Sequence, residues 1–150
     1  MRYLARQSAI GALRRGRSIQ QFLGPATGFE LPGIRYVEIR PAGKYELYLY
    51  CAEDLGHDQF FEVGEFPSLE PREEDGFGRL IARTDEPEVV LELAKRLVGA
   101  ATDRWANVGL IDAEYADYLS AGRPADAALD GFRWPAEADP PSLVSEGMWR

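Results

Sequence analysis

The chain contains one histidine and one cysteine among 150 residues. A lone Cys51 excludes an intramolecular disulfide and a zinc site built on cysteine pairs, and it fits a reducing compartment. A lone His57 excludes a His-rich metal centre. Lysine is nearly missing, since of the 17 basic side chains only Lys44 and Lys95 are not arginine. No apolar run approaches the roughly 20 residues that span a bilayer. The early apolar stretch Ser8–Leu13 is too short for a secretory h-region. These absences point to a cytoplasmic protein with no membrane partner. The phosphate-binding loop, the dinucleotide fingerprint, the nucleophile elbow and the zinc-protease helix motif are all missing as well. That weighs against an enzyme without closing the question, and no cofactor is expected.

What is present describes an ordinary folding domain. Residues are 45% apolar and 28% charged, and this length suits a single core. Arginine over lysine, with abundant alanine, indicates a GC-rich and hence bacterial genome. The net charge of −8 is unevenly spread. Residues 1–50 carry 8 basic and 3 acidic side chains, residues 51–100 carry 5 and 13, and residues 101–150 carry 4 and 9. An acidic body disfavours a phosphate backbone, so no nucleic acid is expected. The basic charge gathers in an N-terminal arm with Arg2, Arg6, Arg14, Arg15 and Arg17, read as a solvated helix that can pair with the acidic body.

Local patterns predict an α+β fold. Ser18-Ile19-Gln20-Gln21 spells a capping box, so a short helix is expected to run into Phe22-Leu23 and stop at Gly24-Pro25. An earlier helix is read over residues 3–14. A three- to four-stranded antiparallel meander follows over about residues 34–84. Its strands are Ile34–Arg40, then Lys44–Cys51, then Gln59–Glu65 with Phe60, Phe61 and Val63, and finally Gly78–Thr84. The second of these alternates, with Tyr45, Leu47, Leu49 and Cys51 on one side and Glu46, Tyr48 and Tyr50 on the other. A long amphipathic helix is expected over about residues 86–101, started by Asp85-Glu86-Pro87 and striped by Val90, Leu91, Ala94, Leu97, Val98 and Ala101. Trp105 should close that core. A second C-terminal helix, about residues 112–121, takes Asp112 as its cap and turns Tyr115 and Leu119 inward. Residues 1–122 read as one domain, and residues 123–150 as a Pro-, Ala- and Asp-rich extension partly docked through Phe132, Trp134 and Trp149.

Chemistry-bearing groupings are few. Cys51, Asp54, His57 and Asp58 could form a thiol–imidazole site, but strand parity places Cys51 in the core, where a thiol is inert. The acidic loop with Glu70, Glu73, Glu74 and Asp75 lacks the calcium-loop pattern and contains Arg72. Glu114, Asp117 and Tyr118 share one helix face, where carboxylates favour the dipole, could work as an acid/base pair, or could meet a basic partner. Glu46, Tyr48 and Tyr50 make an aromatic and acidic row suited to protein binding if that sheet face is open.

The leading expectation is a small acidic domain that binds a basic protein partner. Its surface would comprise Glu46, Tyr48, Tyr50, Glu73, Glu74, Asp75, Glu114, Asp117 and Tyr118, with no catalytic or metal residue. One form is an inhibitor of the immunity or antitoxin type, which the chain resembles in being small, acidic and histidine-poor. The alternatives are a small enzyme or ligand-binding domain using a carboxylate pair or the Cys51/His57 loop, and a subunit of a phage or secretion assembly.

Overall fold

Alternation along one strand organises the architecture. In the computed structural model, which describes residues 2–57, 60–70, 78–137, 140 and 144–145, strand β3 (Lys44–Glu53) turns Leu47, Leu49 and Cys51 into one hydrophobic cluster while Glu46, Tyr48 and Tyr50 face the other way. Its neighbour β2 (Gly33–Ala42) pairs with it along its whole length, from Gly33 opposite Glu53 to Ala42 opposite Lys44. Gly43 closes this hairpin at φ +80°, a conformation that costs glycine least.

The segment spelled as a capped helix is a strand. β1 (Ile19–Ala26) runs antiparallel to β2, with Ile19 opposite Ile39 and Phe22 opposite Tyr36. Ile19 and Leu23 enter the core beneath the helices, while Phe22 enters a second cluster on the opposite face. A strand buries apolar groups on both sides at once, which a short helix with one apolar edge would not. Gln21, placed where a capping box needs it, uses its amide elsewhere. It donates to the Ala101 carbonyl (3.0 Å) and accepts from the Ala101 N–H (2.7 Å). The N-terminal helix is the earlier one, α1 (Arg6–Arg14).

The expected strand over residues 59–65 does not form among its described residues, 60–65. β3 pairs directly with β4 (Arg79–Thr84), so no sheet position is left between them. Phe60 closes a tight bridge with His57, and Val63–Glu65 form a single 3₁₀ turn. Val63 and Phe66 are buried in the second cluster, and Phe60 and Phe61 pack against it. Aromatic content that suggested a strand thus serves as a cover.

α2 (Pro87–Val98) follows its reading closely. Pro87 opens it, Val90, Leu91, Ala94, Leu97 and Val98 are buried, and Gly99 ends it at φ +74°. Its N-cap is the acid Glu86, without a side-chain cap bond. Trp105 is buried in the same cluster. The pair β5 (Ala106–Asn107) lies beside β1, and α3 (Ile111–Ser120) comes next. Asp112 does not cap α3, since its carboxylate accepts from the Val63 N–H at 3.1 Å and so fastens the 3₁₀ turn to the helix. β6 (Val144–Ser145) lies parallel to β4.

The result is an α+β fold: a five-stranded antiparallel sheet in the order β5-β1-β2-β3-β4, extended by β6. Helices α1 and α2 cover one face through the larger cluster. α3 and the 3₁₀ turn cover part of the other. No described helix is long and apolar enough to cross a membrane.

Residues 123–137 lie against this second layer. Trp134 meets Phe22 and Tyr118 edge-on at 5.5 and 6.1 Å between ring centroids. Glu137 accepts from Thr27 through both backbone and hydroxyl. Arg35, 2% exposed, donates to the Pro135 and Ala136 carbonyls over 3.4 Å. Gly24 makes room for the Trp134 ring, because a Cβ there would lie 2.5 Å from it, and its φ is +89°. Gly24→Ala should therefore cost about 2 kcal/mol, from backbone strain and overpacking together. Urea unfolding reads the loss. It should shrink in a Trp134→Ala background, and an equal loss in both backgrounds would assign it to the backbone alone.

Candidate functional site

The aromatic row on β3 does not form an open anionic surface. Tyr50 stacks on Tyr36 with centroids 4.5 Å apart. The Tyr48 hydroxyl donates to Glu46 (2.9 Å), and the Arg40 guanidinium covers the Tyr48 ring at 3.8 Å. Arg40 also holds Glu38 (2.8 Å), and Arg83 holds Glu46 (2.9 Å). Each carboxylate on this half of the sheet is matched by an arginine, so the field it sends into solvent is small. Glu73, Glu74 and Asp75 lie outside the described residues, as does Asp58.

Cys51 and His57 are likewise not brought together. Cys51 is buried on the α2 side of the sheet, whereas His57 is exposed and its ring faces Phe60, which packs on the opposite cluster. Among the described residues no group of three metal-ligating side chains converges.

Glu114, Asp117 and Tyr118 are brought together. Helical spacing puts them on one side of α3, and there they line a pocket of about 390 Å3. The other walls come from remote parts of the chain: Arg2 and Tyr3, then Arg104, then Pro124, and then Leu129, Asp130 and Trp134. Tyr3 reaches the site because it bridges to Ala106, with the Leu4 N–H donating to the Trp105 carbonyl at 2.7 Å. The tail reaches it because Trp134 is packed on Phe22 and Tyr118, its indole N–H donating to the Pro124 carbonyl at 3.0 Å.

Charges in the pocket are mostly paired. Arg2 donates to Asp117 at 2.7 Å, and the contact holds its guanidinium above the usual range. Arg104 lies between the rings of Tyr3 and Phe132, 4.5 and 4.3 Å from their centroids. It donates to Asp130 and to the Tyr3 hydroxyl, the latter at 2.7 Å. The bond from Arg104 holds Asp130 below the usual carboxylate range. Burial pushes the Tyr3 hydroxyl up, and the neighbouring Glu114 adds to the shift.

Glu114 differs from the other acids. It is 8% exposed, and its Oε1 has no hydrogen-bond partner among the described residues. An orphaned acceptor on a buried carboxylate costs the fold free energy. Burial pushes this carboxyl up, against the opposing influence of Tyr3, Arg104 and Arg2. Tyr118, forming a wall, is pushed up to about 12, first by burial and then by Asp54. Two arginines and three carboxylates line the pocket, and the one carboxyl without an ion-pair partner among the described residues, Glu114, is the buried one.

Of the residues named from the sequence, Glu114, Asp117 and Tyr118 line this pocket beside Trp134, whereas Tyr3, Arg104, Leu129 and Asp130 were not named as site residues. Arg2 was visible only as one arginine of a basic arm. No local pattern marks them, because the residues meet through sheet pairing and tail packing. Comparison with protein-family models, curated proteins and solved structures returns no match, so the site rests on its own geometry.

A raised carboxyl has a definite linkage sign. The folded state holds the Glu114 proton more tightly than the unfolded chain, so this contribution to stability is complete below the ordinary value of 4.5 and is lost as pH rises through the raised value. Glu114→Gln is therefore expected to melt above the wild type near neutral pH, with the advantage fading as the pH falls below about 4.5. Thermal unfolding across that range checks it. A variant less stable than wild type at neutral pH would show that the charge is structural.

Proposed function

We propose that this protein is a binding domain for a basic protein partner, and that a cationic side chain of the partner docks in the pocket beneath α3. The observation that carries this reading is the unpartnered Oε1 of Glu114, a buried acceptor beside aromatic and apolar walls. A site that retains an unsatisfied charge at the expense of stability fits a role in binding. The net charge of −8 adds long-range attraction for a basic partner. An inhibitor of the immunity or antitoxin type remains one form of such a protein, bacterial and cytoplasmic.

The pocket's size favours a second reading, since about 390 Å3 falls within the range of small-ligand sites. Here the Glu114/Asp117 pair would serve an enzyme or ligand-binding domain. The Arg2 contact on Asp117 at 2.7 Å weakens its case as a free acid/base pair.

The test uses the full chain as bait in extract of the native host, beside Glu114→Gln. A basic protein should be retained by the wild type, released as salt rises past about 0.1 M, where the screening length falls to about 10 Å, and not retained by the variant. Retention that ignores Glu114→Gln, or a partner that is acidic, would overturn the reading.

A further inference from the structure

We propose that Cys51 is a modification site, held as a thiolate opposite the Arg35 guanidinium and oxidised by hydrogen peroxide to a sulfenic acid whose oxygen accepts from Arg35. The inference is independent of the α3 pocket and of the binding role.

Strand parity puts the Cys51 thiol in the core, and a thiol among apolar groups alone is inert. The residue facing it is not apolar. β2 and β3 pair Arg35 directly with Cys51. Side chains opposite one another in an antiparallel pair leave the same face of the sheet, with Cβ atoms about 5 Å apart. Arg35 is 2% exposed, and its Nε and Nη1 have no hydrogen-bond partner among the described residues. Its Nη2 donates to the Pro135 and Ala136 carbonyls over a long 3.4 Å. A buried cation without a counter-charge is costly and favours an anion beside it. Burial pulls this guanidinium down from its usual range, and Cys51, ahead of Glu137, opposes the pull. The attraction is mutual, since a neighbouring arginine stabilises a thiolate.

The other charged groups on this side leave Cys51 in that role. Glu137 spends both carboxylate oxygens on Thr27. Arg79 stands opposite Leu49, two positions from Cys51 on the same face, and pairs with Glu70 at 3.6 Å. Glu53, two positions the other way along β3, is half-buried. α2 brings Leu97 and Val98 into the cluster that holds Cys51 and keeps Lys95 and Arg96 exposed.

The thiolate is the nucleophilic form of cysteine. Its sulfur attacks one oxygen of the peroxide, and an S–O bond forms as the O–O bond breaks. Sulfur gives up two electrons and the peroxide takes them. The departing hydroxide takes a solvent proton and leaves as water. The product is the first, reversible stage of thiol oxidation. Its oxygen supplies the acceptor that Nε and Nη1 of Arg35 lack. Cys51 is 5% exposed, which suits an oxidant little larger than water.

Cys51 is the only thiol in the chain, so ultraviolet thiolate absorbance, titrated on the full chain with Cys51→Ser as the blank, reads its ionisation. The midpoint should lie at least about one pH unit below the value of about 8.5 for free cysteine. Arg35→Met should raise it by about one unit or more, and Arg35→Lys, which keeps the charge, should hold it low. In a second measurement the folded chain is treated with hydrogen peroxide, quenched, and unfolded into dimedone. Intact mass should show one adduct, formed several-fold faster than on chain unfolded before the peroxide is added, and none on Cys51→Ser. A wild-type midpoint less than one unit below that of free cysteine overturns the thiolate, and this reading stands even where Arg35→Met does not fold. A low midpoint that folded Arg35→Met leaves in place overturns the role of Arg35. An adduct formed no faster on the folded chain than on the unfolded one overturns the modification site.

Discussion

Phe22 is the contact on which the second layer of this molecule depends. Its ring leaves β1 on the face away from α1 and α2 and meets Tyr115, Tyr118 and Trp134 edge-on, at 6.3, 5.4 and 5.5 Å. Edge-to-face aromatic contacts add attraction beyond the area they bury. Here they also fix orientation, because two segments remote in sequence, α3 and the stretch holding Trp134, are aligned on one ring. Tyr115 then extends the layer, its hydroxyl donating to Asp54 and accepting from the Gly56 N–H at 2.8 Å. Arg123 closes the same arrangement on Asp54 at 2.8 Å, with a positive φ of 55° uncommon outside glycine. This aromatic junction joins α3 and residues 123–137 to the sheet, beside the hydrogen bonds and ion pairs that Thr27, Arg35, Val63 and Arg104 make with the same segments.

Electrostatics follow from the same packing. The chain is strongly acidic, yet several of its described carboxylates are matched by arginines from other segments. Arg14 reaches Glu88 at 2.6 Å, Arg83 reaches Glu46 at 2.9 Å, and Arg2 reaches Asp117 at 2.7 Å. Exposed pairs of this kind add little stability, but they set where the negative field survives. The β3 row is nearly neutralised. The α3 pocket keeps one buried, unmatched acid. Two surfaces with similar composition thus differ in what they offer a partner, and the difference lies in which arginine each acid meets.

Much of the fold could be read along the chain. The alternation of Tyr45, Leu47, Leu49 and Cys51, the stripe from Val90 to Val98 between Pro87 and Gly99, and the inward Tyr115 are periodic signals lying within single elements. The misreadings involve competition between local and distant partners. Ser18-Ile19-Gln20-Gln21 has the letters of a capping box, but β2 and β5 flank it and cover its backbone groups. Phe60, Phe61 and Val63 have the letters of a strand, but β4 already occupies the position beside β3. The site was legible only through α3, whose Glu114, Asp117 and Tyr118 share a face by helical geometry alone.

By itself the sequence determined the composition-level exclusions, the antiparallel hairpin, the long helix and the charge available for binding, because each depends on residues within a few positions of one another. Only the tertiary structure decided that residues 19–26 form a strand between β2 and β5, that Tyr3, Arg104 and Trp134 meet α3, and that the buried Oε1 of Glu114 has no partner among the described residues. The physical reason is that burial and hydrogen-bond satisfaction are properties of the assembled layers. A carboxylate becomes costly, and hence informative, only when packing has removed its water and assigned the neighbouring cations elsewhere.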